Sequence, residues 1–171
     1  MIGKKLETAI NKQINEELFS AYLYASMIAY FESEGLKGMA QWMRVQTQEE
    51  VFHATKFFNF INDRGGRVEL EAIAKPQKDW KSPLDAFEAG YKHEQHITEC
   101  INNLVTLARK ESDYASDTFL QWYVTEQVEE EMNASEIVAK LKIMGKSGEA
   151  LYMLDKELGT RVYTPPAQTT T

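Results

Sequence analysis

The sequence predicts an all-α protein: a four-helix bundle with a long crossover between its second and third helices and a short fifth helix at the C-terminal end. Three observations predict it. Nine glycines and four prolines in 171 residues fall below average usage, and they cluster, so that residues 4–34, 39–64 and 84–144 contain only Gly90 between them. Apolar residues recur at three- and four-residue spacing through those stretches, and strand-type alternation is absent. A polar break at Glu111-Ser112-Asp113 offers N-cap candidates that divide the longest stretch in two.

The first helix is expected over 4–33 and the second over 36–64, bounded by the glycines at 35, 38, 65 and 66. The third is expected over 83–111. It starts at Ser82-Pro83-Leu84-Asp85, with serine as cap, proline at the first helical position and an early acid facing the helix dipole. The fourth spans 113–144 and is closed by Gly145; the fifth spans 147–158. Short turns make the first and second helices antiparallel, and likewise the third and fourth. The 18 residues at 65–82, at roughly 3.3 Å each, could reach about 60 Å, more than a helix of about 42 Å. A crossover of that length makes the second and third helices parallel; a surface loop without that role is the alternative. Residues 1–163 read as one domain, and 164–171 as a frayed tail. The fifth helix is apolar around Leu151 to Leu154, which suits burial at a symmetry axis between subunits, with packing across the end of its own bundle as the alternative. Trp80 in the crossover is a plausible anchor for subunit contacts.

A net charge of −7 disfavours nucleic acid as the main partner and favours cations. Cys100 is the sole cysteine, which excludes an internal disulfide or a thiolate metal knuckle and fits a reducing compartment. No window approaches 18 uninterrupted apolar residues, and Met1-Ile2-Gly3-Lys4-Lys5 leads into an amphipathic segment, so no membrane association and a cytoplasmic location are expected.

At 100° per residue, the first helix aligns Leu6, Ile10, Glu17, Tyr24, Ile28 and Phe31 on one face. The second aligns Met39, Met43, Glu50, His53, Phe57 and Ile61; the third Leu84, Phe87, Tyr91, Glu94, Ile101 and Val105; the fourth Leu120, Tyr123, Gln127, Glu130, Ala134 and Leu141. Every apolar stripe is interrupted by a metal-ligand-type residue. Glu17, Glu50, Glu94 and Gln127 each lie roughly 11 to 14 residues from the start of their helix, near its middle, and midpoints meet in a bundle whichever way the helices run. Unpaired carboxylates there would cost several kcal/mol each, and no lysine or arginine falls in the central part of the stripes. Two divalent ions would balance four carboxylates. An oxygen-rich set with one imidazole suits iron or manganese.

At these residues the sequence resembles the bacterial and archaeal non-haem ferritins, from Lys5 to about Arg161. The most specific stretches are Asn15-Glu16-Glu17-Leu18, Gln48-Glu49-Glu50-Val51-Phe52-His53, Tyr91-Lys92-His93-Glu94-Gln95, Phe119-Leu120-Gln121-Trp122-Tyr123-Val124 and Glu126-Gln127-Val128-Glu129-Glu130-Glu131. The resemblance implies a five-helix subunit that assembles as a hollow 24-mer, oxidises Fe(II) with O2 or peroxide and stores ferric mineral. It implies two irons per chain: the first on Glu17, Glu50 and His53 with Glu50 bridging, the second on Glu94 and Glu130 with a share in Glu50. Gln127 would hydrogen-bond or position an oxygen species rather than bind strongly, because a neutral amide is a poorer ligand than a carboxylate. Tyr24 is either a redox or hydrogen-bonding group beside the irons or a core tyrosine whose hydroxyl has found a carboxylate. Glu49, Glu126 and Glu129 match glutamates that form a third iron site, through which iron passes towards the cavity; otherwise they are a solvated acidic face.

Some positions depart from related patterns. Phe52 stands where haem-binding relatives present a methionine, and Gln127-x-x-Glu130 replaces a second Glu-x-x-His, so no haem is expected. His93 and His96 lie 120° or more from the third stripe and read as surface histidines. Two other classes remain open from the residues alone. One is a di-iron or di-manganese oxygenase or peroxidase without storage; the other is a purely structural bundle with hydrogen-bonded glutamates.

Overall fold

The computed structural model describes residues 1–165, which form α1 (Lys4–Ser33), α2 (Lys37–Asp63), α3 (Pro83–Lys110), α4 (Tyr114–Met144) and α5 (Gly148–Leu158), with no strand among them. The helix ends differ from expectation by at most a single residue, because the terminal residues that differ act as caps rather than helical positions. Asp113 accepts from the Ser116 amide and Ser147 from the Ala150 amide, while Ser82 accepts from the Asp85 amide as expected. Each satisfies an amide that has no partner inside its helix. Residues 164 and 165 are exposed, and the rest of the expected tail lies outside the described residues.

Contacts at the helix ends fix the topology. The Ile2 amide donates to the Arg64 carbonyl at 3.0 Å, and Lys5 pairs with Glu111 at 3.2 Å, so α1 runs antiparallel to both α2 and α3. The second and third helices are therefore parallel. Lys142–Glu88 and Arg109–Asp117 pairs set α4 antiparallel to α3. The crossover climbs α1: Asn11 donates to the Arg67 carbonyl, Asn15 to those of Glu71 and Ala72, and Ser26 to that of Gln77. Trp80 is buried within its own subunit, its ring 5.3 Å from that of Tyr30. It fastens the crossover to the bundle.

Two apolar clusters fill the interior. One gathers Met27, Phe31, Met39, Met43, Phe87 and Leu141, the other Ile10, Ile14, Phe57, Ile61, Ile101 and Leu120. The stripe glutamates, His53 and Gln127 are buried and, by their positions along the helices, form a polar layer between the two. Within the subunit α5 packs across its own bundle, with Leu154 and Leu158 buried in the first cluster, and it leaves Tyr152 and Met153 exposed. The close approach requires Gly38, where a Cβ would lie 1.6 Å from the Asp155 carbonyl oxygen; the Asp155 carboxylate also accepts from the Met39 amide at 2.8 Å, capping α2. Among the described residues no helix is long and apolar enough to cross a membrane.

Candidate metal centre

Each stripe glutamate points inward from near the middle of its helix. The ligand atoms of Glu17, Glu50 and His53 lie within 4.8 Å of one another, all three residues buried. His53 Nδ1 is 3.4 Å from Glu50 Oε2, and the Tyr123 hydroxyl donates to the His53 carbonyl at 2.9 Å. A second group joins His53, Glu126 and Glu130 within the same distance. Glu94 belongs to neither, because its two oxygens are turned to other partners. One accepts from the Tyr24 hydroxyl, and the other accepts from the Gln127 amide at 3.2 Å. Glu130 accepts from Gln46 at 2.8 Å.

Burial dominates the electrostatics. It pushes the Glu17 carboxyl well above the usual range, with the Glu50 charge adding to the effect. Burial and then the Glu94 and Glu130 charges do the same to Glu50. Glu94 is also raised by burial, against the lowering hydrogen bonds from Tyr24 and Gln127. Burial together with Glu94 and Glu49 lifts Glu130 to about 8. Four acids crowded into a dry layer resist ionising together, and divalent cations would supply the missing charge. The Glu17 Oε2 atom is buried with no hydrogen-bond partner, a lone pair that a bound cation would satisfy. Oxygen donors with a single imidazole fit iron or manganese.

Of the three residues expected beside this layer, Glu126 is half-buried and Glu129 exposed. Glu49 is bound: Arg161 Nη2 lies 2.8 Å from its Oε2. The reading that no cation serves the acid layer holds for the helices but not for the chain beyond α5, which brings Arg161 back to Glu49 and Gln46. His93 is not a surface residue. It is half-buried between α1 and α3, hydrogen-bonded to Ser20 at 2.7 Å and packed edge-on against Phe19 and Tyr24, while His96 is exposed beside Glu16. Sequence reasoning missed two amides as well: Gln13, which donates to Glu17 at 2.9 Å, and Gln46. Gln13 precedes Glu17 by four residues on the same face, and that spacing is the available signal; Gln46 serves Glu130 of α4, a partner that no local spacing reports.

The ferritin-like domain family matches residues 7–144. The chain is 40% identical over 163 residues to a bacterial non-heme ferritin of Staphylococcus aureus (strain MRSA252), covering 95% of this chain and 98% of that one. It is 43% identical over 161 residues to a bacterial non-heme ferritin of Bacteroides fragilis (strain 638R), covering 94% and 100%. Among solved structures it superposes on an open pore ferritin from the hyperthermophilic archaeon Archaeoglobus fulgidus with a TM-score of 0.94 at 54% identity, covering 95% of this chain and 100% of that one. Sharing both the fold and much of its sequence with these proteins along nearly the whole length, the chain belongs to the ferritin family.

Proposed function

We propose that this ferritin stores iron, and that it oxidises Fe(II) at a two-ion ferroxidase centre formed by Glu17, Glu50, His53, Glu94 and Glu130. The observation that carries the reading is the buried acid layer with the partnerless Glu17 Oε2 atom, whose excess negative charge two ferrous ions would neutralise. Glu17, Glu50 and His53 bind one ion, and Glu94 and Glu130 the other. Glu50, which feels both Glu94 and Glu130, bridges. Tyr24 and Gln127 orient Glu94 through hydrogen bonds, a positioning role for both. Each ferrous substrate ion gives up one electron; the two electrons with two protons reduce O2 to peroxide, or peroxide to two waters.

Glu49, Glu126 and Glu129 form a third, weaker iron site that receives product on its way to the store. The store is the cavity of a shell of 24 copies in the cytoplasm, with the exposed Tyr152 and Met153 offering apolar area for contacts between copies. The test is to add a large excess of Fe(II) to the metal-free protein in air and count ferric ions that elute with protein by size exclusion. Many ions per chain on a large assembly is the expected result. Binding that stops at two or three ions on a small species would leave a metalloenzyme without a store and overturn the storage reading.

A further inference from the structure

We propose that Arg161 is a built-in competitor for the third iron: its guanidinium holds the Glu49 carboxylate, and a metal ion must displace it to bind there. The inference rests on the reading of Glu49 as a ligand. Arg161 follows α5 and is anchored on three sides. Its carbonyl accepts from the Gln41 amide at 3.2 Å, its guanidinium carbon lies 4.5 Å from the centre of the Trp42 ring, and its Nη1 donates to Gln46 Oε1. Its other terminal nitrogen, Nη2, donates to Glu49 Oε2 at 2.8 Å.

The pair is partly desolvated, with Arg161 and Glu49 side chains 22% and 23% exposed, which separates it from the freely exposed pairs that contribute little. Arginine does not deprotonate, so the competing charge persists at every working pH. Gln46 in turn donates to Glu130, and the same arginine thus touches the outer acid directly and the inner layer through one amide. A site already half-neutralised in this way holds a third ion weakly and releases it readily, which is what a transit site requires.

The test is anaerobic calorimetric titration of the assembled, metal-free protein with Fe(II). Two ions should bind tightly and a third weakly in the unaltered protein. Arg161→Ala should tighten the third about tenfold, the two others holding steady. Arg161→Lys should return most of the weakness, and Glu49→Gln added to Arg161→Ala should erase the gain. Arg161→Gln, which keeps a hydrogen bond to Gln46 without the charge, guards against loosening of the segment and should tighten the third ion as well. Third-ion affinity that is unchanged or weaker in both Arg161→Ala and Arg161→Gln would overturn the proposal, leaving the arginine as an anchor for the chain end. Absence of the two tight ions in the unaltered protein would be a different failure, overturning the ferroxidase reading and this one with it.

Discussion

The α1–α2 half of the acid layer and the α3–α4 half carry the same kinds of residue but are supported differently. On the α1–α2 side Glu17 has one donor, Gln13, and its other oxygen is bare. On the α3–α4 side Glu94 accepts from both Tyr24 and Gln127, and Glu130 accepts from Gln46 on α2. A buried carboxylate with donors tolerates its charge, whereas one without them is completed only by a cation. The difference teaches that one half is satisfied by the protein's own donors, whereas the other leaves a buried carboxylate oxygen open, which under the proposed function a metal ion would complete.

The largest effect should come where the halves join. Glu50→Ala should slow fast Fe(II) oxidation by on the order of 100-fold or more while leaving assembly intact, since second-layer partners of metal ligands already account for 10- to 100-fold. Stopped-flow oxidation kinetics check it, and a normal rate would end the assignment of Glu50 as bridge. Next is Glu17→Gln, which removes the charge of the poorly supported acid. The metal-free protein should gain about 1–3 kcal/mol of stability from it, and Glu94→Gln should gain less, because Glu94 already has two donors. Equal gains in thermal melts of the two variants would break the comparison.

Protonation sharpens it. Glu130, raised to about 8 above an ordinary carboxyl, favours the fold fully below about pH 4.5 and loses that favour as pH rises through 8. Bound divalent ions should remove that loss. His93 acts in the opposite sense: burial, with His96 adding to it, lowers the imidazole to about 4. Its folded pKa lies below the unfolded one, so its contribution is full above about pH 6.5 and is lost as pH falls towards 4, about 3 kcal/mol in all. His93→Gln should flatten melting temperature over pH 4–6.5. A slope there as steep as in the parent would place the acid sensitivity elsewhere.

Much of this was legible in the sequence, and the rest was hidden for identifiable reasons. Helical periodicity places Glu17, Glu50, His53, Glu94 and Glu130 on interior faces, because a 3.6-residue repeat reports which way a side chain points. It does not report how far the neighbouring helix reaches. His93 lies well off its stripe and is still half-buried, since α1 covers that flank with Phe19 and Ser20. Periodicity does not single out Gln46, because its role depends on Glu130 of α4, distant in the chain. Arg161 carried no local signal. Its position follows from α5 docking against Gly38, a tertiary event that brings residue 161 to residue 49.

The smallest expected effect tests the supported half directly. Tyr24→Phe keeps the ring in its place among Met27, Phe31 and Phe87 and removes only the hydroxyl that donates to Glu94. Gln127 still serves the other oxygen, so the loss should be one charge-assisted hydrogen bond, about 1–2 kcal/mol in the metal-free protein. With Glu94 less firmly held, oxidation should slow by a few-fold rather than collapse, if the tyrosine positions a ligand and carries no electron. Gln13→Ala is the matched change on the other side, stripping Glu17 of its single donor. Once ions are bound the metal supplies what Gln13 did, and the oxidation rate of Gln13→Ala should stay closer to the parent's than that of Tyr24→Phe. The reverse order would mean that the α1–α2 half, not the α3–α4 half, depends on the protein for its geometry.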